Sequence, residues 1–221
     1  MKKIVSTTLF CSIFMSIIAS CAPTRVTRIN VDQVIDLSGR WNDIDSRGVA
    51  KYMSANLMSG GWLEQFRLAN AEQAEPSERY KESKPVIIVG SILNKTHEHI
   101  EADTFIKDIE NEIIEKGEIR LVANSSLREK LRHEKREQVG FVNPATQKHF
   151  GRELGADYML SGTITSIVDT KGKDKLVCYQ VDLMLTHIET NEIAWQGQKI
   201  HRKLIGSKKI KKKYTGKLPA S

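Results

Sequence analysis

Disulfide chemistry is the first thing this chain lacks. It holds three cysteines, and two of them, Cys11 and Cys21, fall in the leading 21 residues. Cys178 stands alone in the body, where it alternates with Tyr179 as a small apolar filler, so the fold has to rest on packing. A second long apolar run is also missing: after Ala19 nothing approaches the ~20 apolar residues of a membrane-spanning helix. There is no internal repeat. Enzyme signatures are absent as well. The chain carries no G-x-S-x-G, H-E-x-x-H, C-x-x-C or phosphate-cradling G-x-x-x-x-G-K, and no serine has a lysine three residues on. These absences point away from a motif-bearing hydrolase, nucleotide enzyme or redox protein.

What is present begins at the amino terminus. Lys2 and Lys3 precede an apolar run from Leu9 to Ala19, interrupted only by Ser12 and Ser16. That is a positive start and a short hydrophobic segment, the pattern of a secretory signal. Ile18-Ala19-Ser20-Cys21 resembles a bacterial lipobox, in which small residues fit the peptidase cleft and the cysteine thiol takes a diacylglycerol. Each buried methylene contributes ~0.8 kcal/mol, so several acyl chains on one residue anchor firmly. The expectation is a signal peptide over 1–20, a lipidated Cys21 and no cofactor. Residues 21–35 are then the lipidated cysteine and a short tether, residues 22–35 reaching at most ~50 Å at ~3.3–3.6 Å per residue.

Charge is unevenly placed. Of a formal +7, Lys2 and Lys3 supply two and residues 199–221 supply nine with no acid, which leaves the rest of the mature chain at −4. A mildly acidic body therefore ends in a basic tail. Tyr214 is the one aromatic residue in the run Lys208–Lys217, so a base-stacking platform is not built there and nucleic acid is not an expected partner. Anionic lipid headgroups are one target, at ~1 kcal/mol per charge. A solubilising tail is the other reading.

Along the body, Asp43 or Asp45 is placed to cap a helix with Val49, Met53 and Leu57 on one face, ended by Gly60-Gly61. Residues 69–84 read as a polar loop around Pro76. Val86–Leu93 is apolar on both faces, which predicts a strand covered on both sides. Asp103 or Thr104 caps a helix with Phe105, Ile106, Ile109 and Ile113 on one stripe, stopped by Gly117. Ile119–Ala123 predicts a short strand, residues 126–137 a charged helix, and Asn143-Pro144 the start of a helix to Leu154. Tyr158–Val168, Val177–Leu185 and Ile193–Gly197 alternate as strands. The predicted fold is α+β: a small, mostly antiparallel sheet, its carboxyl-terminal meander made of two hairpins and flanked by helices. The domain spans 36–204 and a basic flexible tail covers 205–221.

Two clusters invite chemistry. His97-Glu98-His99 with Glu101 would set both imidazoles on one side of an extended segment, as zinc needs, but no third and fourth ligand follow. A loop with exposed histidines, and no metal, is the reading. Asp43 and Asp45 form an acidic pair that capping and turn roles explain without catalysis, so no catalytic residue is assigned.

Four stretches in this order carry a family resemblance: Asp36-Leu-Ser-Gly-Arg-Trp-Asn-Asp-Ile-Asp-Ser46, Asn94–Ile100 leading into Thr104–Glu110, Gly155–Ile164, and Ile188–Trp195. Together they resemble the penicillin-binding protein activator LpoB family over roughly residues 36–200. The Gly155–Ile164 segment by itself is similar to CsgG and to the TolB amino-terminal domain. The resemblance implies a non-catalytic outer-membrane lipoprotein facing the periplasm, which stimulates a bifunctional class A penicillin-binding protein, a peptidoglycan synthase. Ala22 after the cysteine fits outer-membrane sorting. Candidate partner-binding residues are Asp36, Arg40, Trp41, Asn42, Asp43 and Asp45, with structural support as the alternative role for this stretch. The rival function is a structural or secretion-associated lipoprotein that self-assembles, as CsgG does.

Overall fold

The structure, a computed structural model, describes residues 27–30, 33, 35, 37–73, 84–148, 151 and 153–206. Cys21, Asp36, the loop around Pro76 and the Lys208–Lys217 tail lie outside the described residues. The chain divides into two compact units, Met1–Ile35 and Asp36–Ser221. All buried apolar residues of the core fall between Val49 and Trp195, inside the second unit.

That unit opens with helix α1, Asp43–Met58, capped by Asn42 rather than by Asp43 or Asp45. The helix starts early enough to put Asp45 three residues beyond the cap. Asn42 Oδ1 accepts from Asp45 N at 3.1 Å, and Asp45 Oδ2 accepts from Asn42 N at 2.9 Å. Two orphan amide groups are thereby satisfied reciprocally. Val49, Ala50, Met53 and Leu57 are buried along the inner face.

Gly60-Gly61 is a joint between two helices rather than the end of the helical region. Helix α2 runs Gly61–Gln73, so the expected loop loses its first residues to a helix that Trp62 and Leu63 dock into the core. Trp62 Nε1 donates to the Leu57 carbonyl at 2.7 Å. A Cβ at Gly60 would sit 2.9 Å from both the Trp62 and the Trp195 indole, so glycine is what lets both rings pack this close to the backbone.

The remaining elements are β1 Val86–Asn94, α3 Ala102–Lys116, β2 Arg120–Val122, α4 Ser125–Glu137, β3 Tyr158–Lys171, β4 Asp174–His187 and β5 Ile193–Ile205. They build one sheet in the order β2-β1-β3-β4-β5. The expected mostly antiparallel sheet is corrected here: the sheet is mixed. β1 pairs parallel with both β2 and β3, while β3–β4 and β4–β5 pair antiparallel. The helical connections are the physical cause, because a crossover through α3 and then α4 returns each strand in the same direction.

Phe105, Ile109 and Ile113 of α3 are fully buried, and Gly117 closes that helix in the left-handed region at φ 69°. Its cap position is Glu101, without a side-chain cap bond, and not Asp103 or Thr104. Among the described residues of the helix predicted over 144–154, none is helical. Asn143 Oδ1 accepts from Ala145 N at 3.0 Å and starts a turn, but Glu153–Ala156 are not helical. The described residues 145–148 offer no apolar stripe to hold such a helix against the sheet.

Helices α1 and α3 cover one face of the sheet, where Tyr158, Leu160, Ile164, Val177, Tyr179 and Val181 are buried. On the other face cover is partial, with Leu93 52% and Met159 42% exposed. β1 is thus buried on one face and flanked by strands on both sides, while Ile88 on its second face is only half-buried, less cover than its apolar run suggests.

Candidate functional site

The segment singled out by sequence folds over the end of the sheet as a polar lock. The loop after β1 prepares it. The Asn94 side-chain amide donates to the Glu98 carbonyl at 2.8 Å, while its Oδ1 accepts from Thr96 N at 2.9 Å and from Thr96 Oγ1 at 2.8 Å. Thr96 Oγ1 in turn accepts from Glu98 N at 3.1 Å. Short side chains that bond their own backbone fix the loop, and the Glu98 carboxylate is turned inward.

There Glu98 Oε2 accepts from the Tyr179 hydroxyl at 2.7 Å and from Trp41 N at 3.2 Å. Burial, then the bond to Glu98, push the Tyr179 hydroxyl far above its ordinary 10.0. It stays a neutral donor at any physiological pH. Glu98 Oε1 is buried with no hydrogen-bond partner. The Trp41 ring stands edge-on to Tyr179 at 5.4 Å and to Phe105 at 6.2 Å. Such edge-to-face pairs add about 0.5–1.5 kcal/mol beyond burial.

A second cluster lies beside the first. Asp45, 8% exposed, lies 3.0 Å from His201 Nε2 and forms an ion pair with Lys203 Nζ. Lys203, also 8% exposed, donates to the Arg40 carbonyl at 2.7 Å. One buried carboxylate therefore ties the cap of α1, strand β5 and the approach to α1 together. Ser46 Oγ donates to Asp108 Oδ2 at 2.6 Å and joins α1 to α3.

The sequence-predicted residues divide accordingly. Asp36 lies outside the described residues. Trp41 and Asn42 are half-buried and Asp45 is buried, all three engaged with the fold. Arg40 and Asp43 present exposed side chains; Asp43 pairs with Arg47 at 3.1 Å. The histidine cluster opens outward, with the His99 side chain 93% exposed and its Nε2 3.8 Å from Glu101, while Glu98 between the histidines faces the other way. Glu98, Tyr179, His201 and Lys203 were not singled out by sequence reasoning for this role. Lys203 carried a signal: it occupies an inward position of β5, in phase with Trp195 and Gly197, where a lysine needs an internal partner.

The chemistry of this lock is attachment rather than turnover. Asp45 is committed to protein donors, and the Tyr179 proton is held by Glu98. No helix among the described residues is long and apolar enough to cross a membrane.

A family model described as peptidoglycan-synthase activator LpoB matches residues 45–201, so the matched span opens on Asp45 and closes on its partner His201. Comparison with curated protein sequences gives no match. Among solved structures, the LpoB carboxyl-terminal domain from Escherichia coli is 17% identical, with a TM-score of 0.38, covering 74% of this chain and 99% of that one. Lipoprotein GNA1162 from Neisseria meningitidis is 13% identical, with a TM-score of 0.37 and coverage of 57% and 89%. The NMR structure of E. coli LpoB is 16% identical, with a TM-score of 0.36 and coverage of 86% and 84%.

Proposed function

The chain belongs to the LpoB family of peptidoglycan-synthase activators, and from that premise we propose that it works by docking on a bifunctional class A penicillin-binding protein and raising its rate. The family is non-catalytic, and this chain is not an enzyme. In the proposed mechanism an acylated Cys21 holds the protein on the periplasmic face of the outer membrane, and the tether raises the local concentration of the domain at its target. Tighter binding to the active state of the synthase then shifts that enzyme's population. The Lys208–Lys217 tail adds attraction to anionic headgroups on the same surface.

The observation that carries the docking surface is the rigid display of Arg40. Its carbonyl is held by the buried Lys203 ammonium and its amide donates to Ser38 Oγ at 3.2 Å. The side chain therefore leaves a fixed backbone, three residues before the exposed Asp43 carboxylate, which pairs with Arg47 at 3.1 Å. In this reading Asp36, Arg40 and Asp43 meet the partner, while Trp41, Asn42 and Asp45 hold the platform that presents them. A backbone already held in place binds with less entropy to lose than a loose loop.

The test is binding of the chain from residue 22 onward to a purified class A synthase, with the double charge reversal Arg40→Glu/Asp43→Arg. Weakening by tenfold or more with an unchanged melting temperature supports the surface. Unchanged binding moves the contact elsewhere on the domain. Elution of the domain alone as a large ring would instead favour a self-assembling lipoprotein of the CsgG kind.

A further inference from the structure

Strand β2 is short, and its shortness makes a cavity. It pairs only with Val86–Ile88 of β1, so from Val89 to Asn94 that edge of β1 has no strand beside it. The register of β1 against β3 also shifts between Val89 and Ile92. The chain leaves β1 through α3 to reach β2 on one side, then crosses through α4 to reach β3 on the other. Strand order thus reverses around β1, and open α/β sheets bind ligands in the crevice outside the carboxyl ends of strands at such a reversal.

A groove of about 700 Å³ occupies this position, bounded by β1, β3, the start of α3 and the first turns of α4. Its apolar lining is Ile88, Ile106, Leu127 and Met159, and its rim carries Lys107, Arg128 and Lys130 against a single carboxylate, Asp103. Lys107 is paired with Glu110 at 2.5 Å. Among the described residues no carboxylate lies within ion-pair distance of Arg128 or Lys130. Arg128 Nε is buried and has no hydrogen-bond partner. Ser125 and Ser126, in the first turn of α4 behind the Asn124 cap, line the same rim.

We propose that this groove binds an amphiphilic anion, an apolar group ending in a carboxylate or phosphate, with the apolar part over Ile88 and Met159 and the charge between Arg128 and Lys130. Concave shape, an apolar floor and a few convergent polar groups are the general marks of a small-ligand site. The net positive rim selects the sign of the charge. This inference rests on the groove alone and stands whether or not the chain activates a synthase.

The test follows backbone amide resonances in the chain from residue 22 onward, which keeps every described element of the folded unit. The probes are octyl phosphate, inorganic phosphate and octanol. Octyl phosphate should shift Gly90, Ser125, Ser126 and Leu127, and should bind at least tenfold more tightly than either other probe. Arg128→Gln/Lys130→Gln should weaken it tenfold or more, while the amide spectrum and melting temperature of the variant stay those of the folded domain, since no residue of α4 is buried as a whole. Equal binding of octanol or of inorganic phosphate overturns the proposal, as does saturation without shifts at these amides or an unaffected double variant. Phosphatidylglycerol vesicles separate the sources. Groove shifts with vesicles as well as with octyl phosphate assign a membrane lipid, and shifts with octyl phosphate alone assign a soluble ligand.

Discussion

Tyr179 and Glu98, 81 residues apart in sequence, meet through a 2.7 Å hydrogen bond that joins the middle of β4 to the loop after β1. Because Glu98 Oε2 also accepts from Trp41 N, this one carboxylate closes the segment before α1 over the sheet.

Removing either partner should therefore be expensive. Glu98→Ala strands the Tyr179 hydroxyl and the Trp41 amide without their acceptor, each at about 1–3 kcal/mol. Urea denaturation should show a loss of about 2–6 kcal/mol, and a smaller one for Tyr179→Phe. A double variant costing less than the sum of the two singles would show the direct coupling.

Alkaline stability should depend on the same tyrosine. Its folded pKa lies above the unfolded value of 10.0, so the contribution is complete below about pH 10 and declines as pH rises toward the folded pKa. Tyr158 is raised as well, through burial and the nearby Asp157 and Glu192. Denaturation midpoints measured from pH 9 to 11 should fall in the wild type and fall less steeply in Tyr179→Phe. Parallel curves would contradict this.

Lys203 and Asp45 form a buried pair, and a buried pair is most sensitive to losing one partner. Lys203→Met should cost about 3–5 kcal/mol by leaving the Asp45 charge insufficiently compensated. Asp45→Asn/Lys203→Met should recover much of that, since neither charge then remains. Equal losses for single and double variants would mean that the aliphatic stem of Lys203, and not its charge, matters.

Two glycines should respond in opposite directions. Gly60→Ala drives a methyl into the Trp62 and Trp195 rings and should cost about 1–3 kcal/mol. Gly48 lies exposed within α1 with nothing within 4 Å of its would-be Cβ. Gly48→Ala should stabilise the domain by about 0.5–1 kcal/mol. Thermal melts decide both.

How much of this is legible in sequence depends on range. The stripe Phe105, Ile109, Ile113 and the alternation through β3 and β4 are local patterns, and they place the elements of an α+β domain. Strand direction is not local: the apolar run of β1 signals burial, but only the crossovers through α3 and α4 make it a parallel centre. The turn at Asn143 has a sound helix start, but the described residues 145–148 after it carry no apolar stripe. The lock was half visible. Arg40–Asp45 stood out as a stretch, but its partners Glu98, Tyr179, His201 and Lys203 sit between 53 and 163 residues away, beyond the reach of any spacing argument.

The central claim, that this domain stimulates a synthase without chemistry of its own, is tested most directly by glycan polymerisation. A purified class A synthase is given its lipid-linked substrate with and without a saturating amount of the chain from residue 22 onward. The account predicts faster polymerisation with the domain present and none from the domain alone. An unchanged rate at saturation, or glycan formed by the domain by itself, would contradict it.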